Sequence, residues 1–210
     1  MKVRSLSQIL TAVLVIALCN APAWGDTIHL GEAQLAGMLE SEGRLFEVSG
    51  RLGEEEGAPE LELLNGSGFL QASALFQWRC NHEERFSLIY ENGLLEFRIG
   101  QLVLAFEPGS GPDELYLACH AELEGSGVTL NDLELNGSRL GDSCWTVGPD
   151  SGDVLWISGP DLSSRFELSG TVNLAWIGEA PGPEDLSFVL GGTRGGTSAV
   201  SDWGRLKRRF

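Results

Sequence analysis

The chain has 210 residues, with 14 Lys and Arg against 30 Asp and Glu, for a formal net charge of −16. A surface this acidic repels phosphate backbones and anionic bilayers, which excludes nucleic acid as a partner. Hydrophobic residues make up 42% of the chain, enough for a packed core, so an acidic disordered polymer is excluded as well.

Lys2 and Arg4 lead into an apolar run over residues 9–18, and Ala21-Pro22-Ala23 follows with small residues. A basic start, a short hydrophobic stretch and a small-residue exit make residues 1–23 a secretory signal peptide. The run is too short to cross a bilayer, which takes roughly 20 apolar residues. The expected location is therefore secreted or periplasmic. Cys19 does not qualify as a lipid anchor, because bulky Leu18 stands where a small residue is required.

Residues 24–190 read as a single all-β domain. The one helical stretch is 26–43, where Leu35, Met38 and Leu39 have helical spacing although Gly37 weakens it. From Arg44 the pattern changes to period two: Phe46 and Val48 alternate with polar Glu47 and Ser49, and a similar phrase returns at Phe166-Glu167-Leu168-Ser169. Further strands are expected over 68–78, 86–90, 94–99, 101–106, 114–123, 128–135, 154–158, 165–177 and 186–190. Asn65-Gly66, Asn92-Gly93 and Asn136-Gly137 lie between strand-like segments, and Asn-Gly is the favoured pair for a two-residue hairpin. Many short strands joined by Gly, Pro and Asn turns predict an antiparallel β-sandwich of jelly-roll type, with a closed β-barrel as the alternative. An outer-membrane barrel fits poorly. Phe210 follows Arg208 and Arg209 rather than an apolar strand, and two tyrosines make thin aromatic girdles, so no stable membrane insertion is expected. Residues 191–210, Gly-rich and basic at the end, read as a flexible tail.

Three cysteines follow the signal peptide. Leu115, Leu117, Cys119 and Ala121 share one strand face, as do Phe76, Trp78 and Cys80, so a Cys80–Cys119 disulfide between inner faces is the leading expectation, with Cys144 as the spare thiol. Spacing does not exclude Cys144 as a partner of either. Cys80-Asn81-His82 and Cys119-His120 could offer zinc ligands, but neighbours on a strand point to opposite faces, which separates Cys119 from His120.

The turn Asp150-Ser151-Gly152-Asp153 nominates Asp150 and Asp153 as calcium ligands, the one cofactor considered, although the twelve-residue calcium loop is absent. Paired carboxylates could cleave glycosidic bonds, but with 30 acidic residues in the chain any such pair is a weak signal. No Gly-x-Ser-x-Gly elbow, His-Glu-x-x-His helix or phosphate loop occurs. Tryptophan points instead to binding, since indole combines a broad apolar face with one donor. Trp156 and Trp176 read as core, and Trp145 and Trp203 as exposed ligand-binding positions. These features predict a non-catalytic binding or envelope-associated module whose partner is a carbohydrate or another envelope component. A glycosidase-like hydrolase and a calcium-stabilised adhesion module are the alternatives.

Overall fold

Alternation along the chain becomes two antiparallel sheets packed face to face. The computed structural model describes residues 26–52, 60–159, 161–182 and 185–194. Among them the elements are β1 (Asp26–Leu30), α1 (Glu32–Glu42), β2 (Arg44–Arg51), β3 (Leu61–Asn65), β4 (Leu70–Ala74), β5 (His82–Glu91), β6 (Leu94–Ile99) and β7 (Leu102–Phe106). There follow β8 (Glu114–Ala121), β9 (Ser126–Leu135), β10 (Ser138–Arg139), β11 (Cys144–Val147), β12 (Ser151–Ser158), β13 (Phe166–Trp176) and β14 (Leu186–Thr193). The first sheet runs β1-β12-β8-β14-β2-β3-β4, and the second runs β10-β9-β13-β5-β6-β7 with β11 also paired to β9. The protein is an all-β sandwich, not a closed barrel. Among the described residues no helix is long and apolar enough to cross a membrane.

The core lies between the sheets. Phe46, Val48, Leu61, Leu63, Leu115, Leu117, Phe188 and Leu190 enter from the first sheet. Phe86, Leu88, Phe97, Ile99, Val128, Leu130, Val172 and Leu174 meet them from the second. Every second residue of these strands points inward, as the period of the pleat requires.

Two of the Asn-Gly pairs form the hairpins expected of them. Asn92 (φ 54°) and Gly93 (φ 84°) join β5 to β6, and Asn136 (φ 52°) and Gly137 (φ 74°) join β9 to β10. Positive φ at both central positions matches the right-handed twist of the strands. Asn65-Gly66 does something else. The Asn65 carboxamide oxygen accepts the N–H groups of Ser67 and Phe69, each at 3.0 Å, and shapes a longer loop.

The structure departs from expectation at both ends of the domain. The stretch 26–43 is a strand followed by a shorter helix. Asp26–Leu30 pairs in register with β12, and the helix begins only after Gly31, whose N–H donates to Gln34 Oε1 at 2.8 Å. The boundary expected at 190 also shifts, because β14 continues to Thr193 with Gly191, Gly192 and Thr193 buried. Rings lie over those two glycines: a Cβ at Gly191 would fall 2.1 Å from Tyr116 Cζ, and one at Gly192 would fall 2.4 Å from Phe46 Cε1. The residues that looked too flexible for a core element are there because only glycine fits. The segment expected as a strand over 68–78 is strand only at Leu70–Ala74, and β1, β3, β10 and β11 are strands beyond those expected. The expected signal peptide, residues 1–23, and residues 195–210 of the expected tail lie outside the described residues.

The far side of the first sheet carries a second buried layer. Tyr116 and Trp156, cross-strand partners on β8 and β12, stack with centroids 6.1 Å apart. The Tyr116 hydroxyl donates to Glu47 Oε2 at 3.1 Å, and Glu47 pairs with Arg44 at 3.0 Å. Burial, reinforced by the Glu47 carboxylate, pushes the Tyr116 phenol well above the usual tyrosine range. In the unfolded chain this group ionises near about pH 10. Above that pH the unfolded state releases a proton that the folded state retains, so stability falls as pH rises, by about 1.4 kcal/mol per pH unit from this group. Denaturant melts on the alkaline side of about pH 10 should show this slope. Tyr116→Phe should flatten it, and an unchanged slope would show that another group governs alkaline unfolding.

Candidate functional site

β11 is four residues long and alternates strictly. Cys144 and Thr146 are buried, while Trp145 is 53% exposed and Val147 is 56% exposed. The exposed indole offers a broad apolar face with one hydrogen-bond donor. Its backbone is held in place. Asp153 Oδ2 accepts the Trp145 N–H at 3.0 Å, and Asp153 Oδ1 lies 3.0 Å from His29 Nδ1. Ser151 Oγ donates to Val147 O at 2.5 Å and lies 2.6 Å from Thr146 Oγ1. Side chains therefore satisfy backbone groups of a strand that would otherwise invite a passing chain.

Register extends the site across the second sheet. Trp145 stands opposite Thr129, Thr129 opposite Asn173, and Asn173 opposite Glu83. Directly opposed residues share a face. Since Val128, Leu130, Val172 and Leu174 point into the core, this row points outward. The adjoining row is Asn131, Thr171 and Arg85. One face of the second sheet thus presents a tryptophan at its edge and amide, hydroxyl and charged groups across its width. Asn173 Nδ2 donates to Asn81 Oδ1 at 3.2 Å, while its buried Oδ1 has no partner.

Where β9 irregularly meets β13, Asp132 takes φ 50° and accepts a hydrogen bond from Arg139 at 2.7 Å. Beside this irregularity is an open polar depression of about 330 Å³, lined in part by Glu83, Asn131, Asp132, Arg139, Asp142 and Ser143. Residues 142 and 143 run directly into β11, so the depression and Trp145 belong to one surface.

The expected site residues fare unevenly. Trp145 is exposed, whereas Trp203 lies outside the described residues. Trp156 is buried, though in the outer layer, and Trp176 packs against the core. Asp153 is engaged with His29 and the Trp145 N–H, and Asp150 sits in the turn before β12 with its N–H on Glu122 O at 2.9 Å. No group of three or more His, Cys, Asp or Glu converges to hold a metal among the described residues.

The structure does not form the Cys80–Cys119 bond. All three cysteines of the described residues are free thiols. Cys80 is exposed because residues 75–79 leave the sheet, and its thiol donates to Trp176 O at 3.1 Å. Cys119 faces inward as expected, but its neighbour is Cys144 rather than Cys80. His120 points to the opposite face, with Nδ1 3.3 Å from Glu32 Oε1, so no Cys-His site forms there.

Sequence reasoning passed over Thr129, Asn131, Thr171 and Asn173. Their signal was present as polar residues alternating with the core-facing Val128, Leu130, Val172 and Leu174, but a polar strand face is ordinary until register places an aromatic beside it. The chain matches no protein-family model and no curated protein.

Proposed function

We propose that this protein is a secreted or periplasmic β-sandwich that binds a carbohydrate, or a similarly polyhydroxylated envelope component, on the outer face of its second sheet without turning it over. The observation that carries this reading is Trp145, 53% exposed and in register with Thr129, Asn173 and Glu83. A sugar ring offers an apolar C–H face to indole and hydroxyls to amides, hydroxyls and carboxylates, and this surface supplies both kinds of contact side by side. The layout of residues 1–23 supports export, and the acidic surface suits a neutral glycan better than an anionic polymer.

The test is a titration of the protein with a panel of soluble neutral glycans, followed by tryptophan fluorescence and calorimetry. Trp145→Ala should weaken binding at least about tenfold, equivalent to about 1.4 kcal/mol, and leave the melting temperature nearly unchanged because the side chain is exposed. Unchanged affinity in the variant would overturn the assignment. Glycan cleavage abolished by Glu83→Gln or Asp142→Asn would replace it with a hydrolase. A calcium-dependent rise in melting temperature without glycan binding would favour the adhesion module.

A further inference from the structure

Cys119 and Cys144 are 25 residues apart in sequence and come from different sheets, β8 and β11. Both are buried, with Cys119 1% and Cys144 0% exposed. Each sulfur lies against the other's strand: Cys119 Sγ is 3.5 Å from Cys144 O, and Cys144 Sγ is 3.5 Å from Leu117 O. Cys144 Sγ also lies 3.2 Å from Asp153 O, so both sulfurs sit in the seam between β8, β11 and β12. Cys80, on the exposed rim beside Trp176, takes no part.

We propose that Cys119 and Cys144 form a disulfide that staples the two sheets together beneath Trp145. The pairing follows from each sulfur lying against the other's strand, while its presence in the native protein rests on the export reading above, since disulfides persist in oxidising compartments. The oxidant is an external disulfide, either a small-molecule disulfide or a dithiol oxidase. The thiolate of one cysteine attacks it, forms a mixed disulfide and expels one thiol. The second cysteine then attacks the mixed disulfide and expels the other. Two electrons and two protons pass to the oxidant, which leaves as two thiols, and one S–S bond forms between Cys119 and Cys144. Because neither sulfur is accessible in the closed sandwich, the exchange occurs while the sheets are still assembling, and the finished bond is shielded from reductants. Its consequence for the candidate site is direct: the strand carrying Trp145 is fastened to the first sheet at its first residue.

The full chain, reduced and unfolded, is refolded in a mixture of oxidised and reduced glutathione, blocked with an alkylating reagent in denaturant, and digested without reduction. The expected result is a peptide pair joining Cys119 to Cys144, with Cys19 and Cys80 alkylated. Cys80→Ser should leave this pair intact, and Cys144→Ser should abolish it. Alkylation of Cys119 and Cys144 after oxidation, or a bond from either to Cys19 or Cys80, would overturn the pairing. If Cys144→Ser fails to fold, the peptide map of the wild-type chain decides alone. The same map on protein taken from its native compartment addresses the export reading separately: a chain that forms the bond in glutathione yet is found reduced in the cell has the geometry but not the location.

Discussion

Phe188→Ala is expected to destabilise the fold by about 3–5 kcal/mol, the largest effect of any single truncation argued from this core. The ring has no exposed surface and meets Trp78 edge-on with centroids 5.7 Å apart. It also covers Gly50, its cross-strand partner on β2, where a Cβ would fall 2.2 Å from Phe188 Cε1. Truncation leaves a cavity that the backbone cannot close, because β14 is hydrogen-bonded to β2 on one side and β8 on the other. Gly50→Ala should in turn cost about 1–3 kcal/mol through overpacking. Combining the two should cost less than their sum, since the new methyl group enters space that the ring has vacated. Urea unfolding of the four proteins in this cycle measures the coupling. Strict additivity would show that the ring does not depend on the absence of a side chain at Gly50.

Gly191→Ala is expected to cost about 3 kcal/mol, at the upper end of what overpacking does. A Cβ there would lie 2.1 Å from Tyr116 Cζ, and the ring has no direction in which to yield. It is stacked on Trp156, and its hydroxyl is tied to Glu47. Tyr116→Phe should not relieve the strain, because Cζ stays where it was. That separates ring crowding from loss of the Glu47 hydrogen bond. A melting temperature unchanged by Gly191→Ala would mean that the aromatic layer is loosely packed, contrary to the stacking described.

The same glycine shows where sequence reading reached its limit. Gly191-Gly192 looks like a linker because glycine weakens strands in general. It belongs to a strand here because Tyr116 and Phe46, both distant in sequence, lie over it. The missed strands have similar causes. β11 is four residues, too short for alternation to stand out, and β1 is stabilised by its pairing with β12 rather than by its own pattern. The cysteines tell the same story. The inward orientation of Cys119 was legible from Leu115, Leu117 and Ala121, whereas its neighbour was not, since orientation is local and proximity is not.

What the sequence alone determines is whatever a few consecutive residues dictate. Period-two alternation required strands with buried faces, Asn92-Gly93 and Asn136-Gly137 required tight hairpins, and together they implied an all-β sandwich. The site was of another kind. Trp145 could be nominated as exposed, but its place beside Thr129, Asn173 and Glu83 depends on how β11, β9, β13 and β5 line up across the second sheet. Register is set by the burial of entire strand faces against the opposite sheet, a cooperative property of segments far apart in the chain. Tertiary packing alone therefore turned a polar strand face into a candidate binding surface and set Cys144 against Cys119.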